Sequence, residues 1–238
     1  LEVKMKPIAF LLTAALAAAL AGAAASLAAP PIPPTQDSFV SRVDNPWFPL
    51  RPGTTDIYRG IKDGQPSRDV FTVTRRAKVI QGVRCTVIRD RLYLRGRLEE
   101  RTQDWYAQDK VGNVWYFGEA TAELNHNGSV KSTEGSWQSG VDGAHAGIFM
   151  PAHPRPGQSG LQEFYEGHAQ DHFRILSLAA QVRTPAASSS AALLVREWTP
   201  LEPGVIDHKL YIRGIGTALE LTVKGGDERN TLISVRHG

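Results

Sequence analysis

The chain has 238 residues, with 27 Lys and Arg against 24 Asp and Glu, a formal net charge of +3, and 42% hydrophobic residues. That composition suits a globular protein and excludes a wholly disordered one. So slight a positive balance gives no reason to expect nucleic acid as a partner, and one cysteine excludes a disulfide framework, a CxxC pair or a cysteine-rich zinc site within the chain.

Residues 1–28 read as a signal peptide. Met5 reads as the start, Lys4 and Lys6 form a short positive region, residues 8–21 are apolar and Ala-rich, and Ser26-Leu27-Ala28 fits small-residue cleavage. Residues 8–29 are long enough for an uncleaved anchor, but alanine partitions weakly into a bilayer, which favours cleavage. Cleavage leaves no integral membrane segment and delivers a bacterial protein to the periplasm or outside the cell. Residues 29–38 read as a Pro-rich linker of extended character. Residues 39–238 read as a single β-rich domain.

At the start of that domain, Asn45-Pro46-Trp47-Phe48-Pro49-Leu50 sets large apolar residues among prolines. It cannot be helical through Pro49, but it can plug one end of a core. Strands are predicted over 56–60, 70–76 and from 83, with turns at Asp63-Gly64, Gln81-Gly82 and Arg95-Gly96. Val83, Cys85 and Val87 share one face, whereas Ile88, Leu92 and Leu94 take the opposite phase. That flip predicts a β-bulge or bend over 88–90.

Residues 98–106 return, residues 110–113 turn into Val114-Trp115-Tyr116-Phe117, and Asn127-Gly128 marks a further hairpin. Residues 136–160 are Gly- and Pro-rich without periodicity and read as a long ordered loop. Strands resume over 161–165, 193–199, 207–213, 218–223 and 231–235; residues 173–182 fit helix or strand and read better as strand, with 186–192 as a turn or loose edge. The fold class is therefore mainly β: a single antiparallel sheet, half-barrel or barrel-like, built from consecutive hairpins with one long Gly/Pro-rich loop.

Asn45-Pro46-Trp47-Phe48-Pro49-Leu50, Asp104-Trp105-Tyr106, Gly112-Asn113-Val114-Trp115-Tyr116-Phe117-Gly118-Glu119, Glu134-Gly135-Ser136-Trp137 and Glu197-Trp198-Thr199-Pro200-Leu201-Glu202-Pro203-Gly204 form a set. As a set they resemble an uncharacterised family of bacterial exported β-rich proteins. The resemblance runs from about residue 45 to 235 and implies no reaction, ligand or catalytic residue. Where the family carries a glycine and an aromatic, this chain has Ala187-Ser188-Ser189.

No HExxH, Walker loop or G-x-S-x-G elbow occurs. The aromatic concentration is Trp105, Trp115, Tyr116 and Trp137, flanked by Glu119 and Glu134; these six are the candidate ligand-binding residues. In adjacent Trp-Tyr pairs on a strand, one ring points in and the other out. Glu163, His168, Asp171 and His172 are the candidate ligands for a divalent metal ion. His168 and His172 share a face on a helix but stand about 13 Å apart on a straight strand. Arg89, Arg91, Arg95, Arg97 and Arg101 make a basic stripe that either meets an anion or is balanced by Asp90, Glu99 and Glu100.

The leading expectation is an exported non-catalytic binding protein. Its ligand, a small molecule, lipid or glycan, would be amphipathic or glycan-like and lie on an aromatic-lined sheet face. The alternatives are a metal-binding protein or metal-dependent hydrolase using the His/Asp cluster, and a structural envelope protein.

Overall fold

The computed structural model describes residue 31 and residues 33–238; the expected signal peptide lies outside the described residues. After one 3-10 turn, Gln36–Ser38, come β1 (Phe39–Val40), β2 (Thr54–Lys62), β3 (Gln65–Ile80), β4 (Val83–Leu94), β5 (Arg97–Asp109) and β6 (Val114–Leu124). Four short strands and a fifth follow: β7 (Val130–Ser132), β8 (Trp137–Gln138), β9 (His145–Met150), β10 (Ser159–Leu161) and β11 (Glu163–Phe164). The chain ends with β12 (His172–Arg183), β13 (Ser188–Trp198), β14 (Ile206–Ile212), β15 (Gly216–Lys224) and β16 (Arg229–His237).

The strands form one antiparallel sheet, ordered β10-β12-β13-β14-β15-β16-β2-β3-β4-β5-β6-β9-β11. Its two ends, β10 and β11, are consecutive in the chain and separated only by Gln162. One short stretch thus pairs first with β12 and then with β9. The sheet curls into a nearly closed barrel whose seam is bridged there rather than sealed by a full ladder.

The hairpins follow their turn residues. Asp63-Gly64, Gln81-Gly82 and Arg95-Gly96 each place two consecutive residues at positive φ (50° and 66°, 49° and 80°, 49° and 82°). That is the two-residue turn whose twist matches the strands it joins. Three sequence expectations are corrected. Residues 136–160 hold β8 and β9 rather than one loop. Residues 188–192 already belong to β13, so the turn is 184–187.

The third correction concerns the phase flip in β4. The β3–β4 register shifts between Val73 and Ala77, so the bulge sits on β3, where the Thr74 hydroxyl donates to the Val87 carbonyl (2.6 Å). Across 86–92 β4 itself runs in register with β5. The flip arises because both faces of β4 are covered. Val83, Cys85 and Val87 pack outside with Ile80, Trp105, Trp115 and Phe117, under Phe39 of β1. Ile88 belongs to the inner core with Phe48, Tyr58, Phe71, Tyr106, Tyr116 and Phe149.

The segment rich in proline caps that inner core. The Phe48 ring lies 4.5 Å from Phe149, 5.3 Å from Tyr106 and 6.2 Å from Phe71, centroid to centroid. Asn45 fixes it. Its side-chain oxygen accepts from the Trp47 amide (2.9 Å), and its amide donates to the carbonyls of Gly112 (2.9 Å) and Pro151 (3.1 Å). Gln108 Oε1 accepts from the amides of Asp44 and Asn45.

Candidate functional site

Inward positions on successive strands do not stay apolar. On β2 Asp56 precedes Tyr58 by two, on β3 Asp69 precedes Phe71, on β4 Asp90 follows Ile88, and on β5 Asp104 precedes Tyr106. A period of two keeps each pair on one face, so each of these four inward residues brings a carboxylate with it. Glu100, Glu119, Glu163, Asp171, Glu197, Asp207 and Glu220 carry the pattern round the barrel. Among the described residues, Lys62 and Lys209 are the buried lysines that answer them from within.

Lys209 binds Glu197 (2.7 Å) and Glu220 (3.4 Å). Lys62 reaches Glu228 at 3.8 Å, and burial lowers its pKa. The remaining acids are poorly matched. Both oxygens of Glu119, one each of Asp56, Glu100 and Asp104, and the Tyr106 hydroxyl have no hydrogen-bond partner among the described residues. Burial accordingly raises their proton affinity, because a charged carboxylate loses hydration without a compensating cation. Burial pushes Asp56, Glu100 and Asp104 up to about 7 and Asp90 to about 6. Asp69 is held well above the usual carboxylate range by burial and by Asp90, with which it shares a hydrogen bond.

Two cavities open among these groups. One, of about 60 Å³, is lined by Lys62, Asp69, Asp90, Glu100, Asp104, Glu220 and Glu228, and reaches the barrel rim at Ile61 and Arg229. The second, of about 40 Å³, lies beside Phe48, Tyr58 and Phe71 and shares Asp69, Asp90, Glu220 and Asn230 with the first. Together they form an acidic chamber with an aromatic end.

The structure divides the residues singled out from the sequence. Tyr116 and Trp137 are in the inner core, edge to face at 5.4 Å, and the Tyr116 hydroxyl donates to Asp104 (2.9 Å). Trp105 and Trp115 are on the outer face, where Lys78 lies 3.2 Å from the Trp105 ring centre. The expected single aromatic face is therefore two faces, as strand alternation requires. Glu119 is buried inside, whereas Glu134 is exposed near His168 (3.8 Å), so the two do not meet.

The four candidate metal ligands separate in the same way. Glu163 and Asp171 are buried, and burial raises the proton affinity of both, with Asp171 adding to it at Glu163 and Glu197 adding to it at Asp171. His168 lies at an exposed turn, stacked on Tyr165, and His172 stacks on Trp198. No three His, Cys, Asp or Glu side chains among the described residues are placed to hold a metal ion. His172 opens an extended strand, which turns its ring away from the inward-facing Phe173.

The inward role of Asp56, Asp69, Asp90, Glu100, Asp104 and Glu220 is missed by the sequence analysis. Their signal was an acid two residues from an inward aromatic or aliphatic side chain, repeated from strand to strand.

No protein-family model matches the chain, and no curated protein matches it. Among solved structures it is similar to a Bacteroides fragilis protein assigned to export, with a YmcC-like fold. That match has 14% identity and a TM-score of 0.45, and covers 80% of this chain and 98% of that one. It is also similar to a Parabacteroides distasonis protein assigned as a lipoprotein, at 8% identity and TM-score 0.43, again over 80% of this chain and 98% of that one.

Proposed function

We propose that this is an exported, non-catalytic binding protein whose barrel interior receives the ammonium head of a small amphipathic molecule. The observation that carries the reading is the excess of buried carboxylates over buried lysines around two neighbouring cavities that share lining residues. Acceptors without donors outnumber donors without acceptors there, which favours a cation over the hydroxyls of a glycan. Asp69, Asp90 and Asp104 would meet the charge. Phe48, Tyr58 and Phe71 would form the wall against the apolar part. The N-terminal leader pattern supports export to the periplasm or beyond.

The probe is n-butylammonium, with n-butanol as its neutral counterpart, titrated by calorimetry into the protein at pH 8. The reading predicts saturable binding of the ammonium, none of the alcohol, and a loss of at least about tenfold in affinity in Asp90→Asn, the scale of one charge-assisted hydrogen bond. Equal heats from both probes, or an unchanged Asp90→Asn, would reject it in favour of a structural role with a closed, protonated interior.

A further inference from the structure

The arginines of the basic stripe are not balanced in the way that their sequence neighbours suggest. Asp90 and Glu100 point into the barrel, on the opposite face of the sheet, and Glu99 is engaged by Arg97 (2.7 Å). Arg89, Arg91 and Arg101 project outward, and Arg76 joins them from the β3 bulge. These four line an outer groove of about 550 Å³ with Thr74, Gln103, Ala120 and Ala122, and no carboxylate lines it. The alanines of β6 leave its floor low, which is what gives the groove its depth.

Arg91 and Arg101 face each other directly across β4 and β5. Like charges in that position repel, and neither makes an ion pair among the described residues. Two other arginine pairs cross the sheet, Arg59 with Arg68 and Arg174 with Arg196. In each of those one guanidinium lies over a ring, Arg68 on Tyr93 at 4.2 Å and Arg196 on Trp198 at 5.0 Å. The Arg91–Arg101 pair has no such ring among the described residues. Arg91 Nε, like Arg196 Nε, is buried without a hydrogen-bond partner, but Arg196 lies over the Trp198 ring and Arg91 over none among the described residues. A buried guanidinium donor facing a second guanidinium across one groove is the arrangement that a bidentate oxyanion completes.

We infer that this groove binds a phosphate-type oxyanion, with Arg91 and Arg101 clamping it from either side and Arg76 and Arg89 at its edge. The site is on the opposite face from the acidic chamber and does not depend on it. A groove of this volume is larger than one phosphate needs, so the anion would be the head of a bigger molecule.

The test compares the wild type with the double variant Arg91→Gln/Arg101→Gln at constant ionic strength. Inorganic phosphate against chloride, read by thermal unfolding, probes the free anion. Flotation with phosphatidylglycerol against phosphatidylcholine vesicles probes the same group in a headgroup. Phosphate should raise the wild-type Tm by about 3 °C or more near saturation, and the double variant should lose that rise. Vesicle binding alone, confined to phosphatidylglycerol and lost in the variant, would equally support the site and assign it a lipid source. In chloride the variant should melt at or above the wild-type temperature, since a repulsion has been removed. No response to either probe, a response that the variant retains, or a variant destabilised in chloride would each overturn the inference.

Discussion

At the scale of single residues, much of what looks chemically suggestive in the sequence is scaffold. Asp109, with Asn113, could pass for part of an ion-binding loop. Its carboxylate instead accepts from the amides of Gly112 (2.8 Å) and Asn113 (2.9 Å), the Asn113 side chain (2.8 Å) and Trp115 Nε1 (2.8 Å). All of its acceptor capacity is spent on closing the β5–β6 turn. Asp109→Ala leaves four donors to find water, one of them the indole of a buried tryptophan. It should cost about 2–4 kcal/mol and lower Tm by about 5–15 °C, measured by calorimetry. The inward acids are the reverse case. Nothing about Asp56, Asp69, Asp90 or Asp104 alone distinguishes them from solvated strand residues. Only the phase they share with Tyr58, Phe71, Ile88 and Tyr106 does, and that phase has meaning once the sheet is known to close.

At the scale of elements, the hairpins were legible because turn chemistry is local. Asp63-Gly64, Gln81-Gly82 and Arg95-Gly96 announce their turns without reference to the rest of the chain. β8 and β9 were not legible because their fit is set by partners far away in sequence. At Gly147 a side chain's first carbon would stand 2.4 Å from the Gln162 backbone, so the residue that lets β9 meet the seam reads locally as a loop glycine. Gly118 does the same for β8. It has a φ of 125°, and a Cβ there would stand 2.3 Å from the Trp137 carbonyl. Gly118→Ala should therefore push β8 off β6 and take Trp137 out of the inner core. The expected outcome is a changed near-ultraviolet circular dichroism spectrum and a stability loss of at least about 2 kcal/mol, since both strain and a close backbone contact are involved. A spectrum like that of the wild type would mean that β8 can shift without disturbing its tryptophan.

At the scale of the whole molecule, the fold encloses more acid than base, and this makes stability depend on pH in a defined direction. Asp56, Glu100, Asp104 and Glu228, each raised by burial to about 7, and Asp90, raised to about 6, hold protons in the folded chain that the unfolded chain has released by pH 5. Their contribution is therefore full below the ordinary carboxylate pKa and is lost as pH rises through 6 and 7. Each extra proton held by the folded state makes stability fall by about 1.4 kcal/mol per pH unit within that window. His172 and His208, lowered by burial, act in the opposite sense, but both are more exposed and fewer than the acids. Binding a cation within the chamber should reverse the trend, since it replaces the protons with a charge that the ionised carboxylates favour.

The most direct measurement is thermal unfolding from pH 5 to pH 8, with and without n-butylammonium. The chamber predicts a Tm that falls from pH 5 to about pH 7 in plain buffer and levels off above it, and that n-butylammonium, but not n-butanol, restores at pH 8. A Tm that is level or rises between pH 5 and pH 8 in plain buffer would contradict it, because the buried carboxylates would then be held ionised by the fold itself and leave no charge for a ligand to answer.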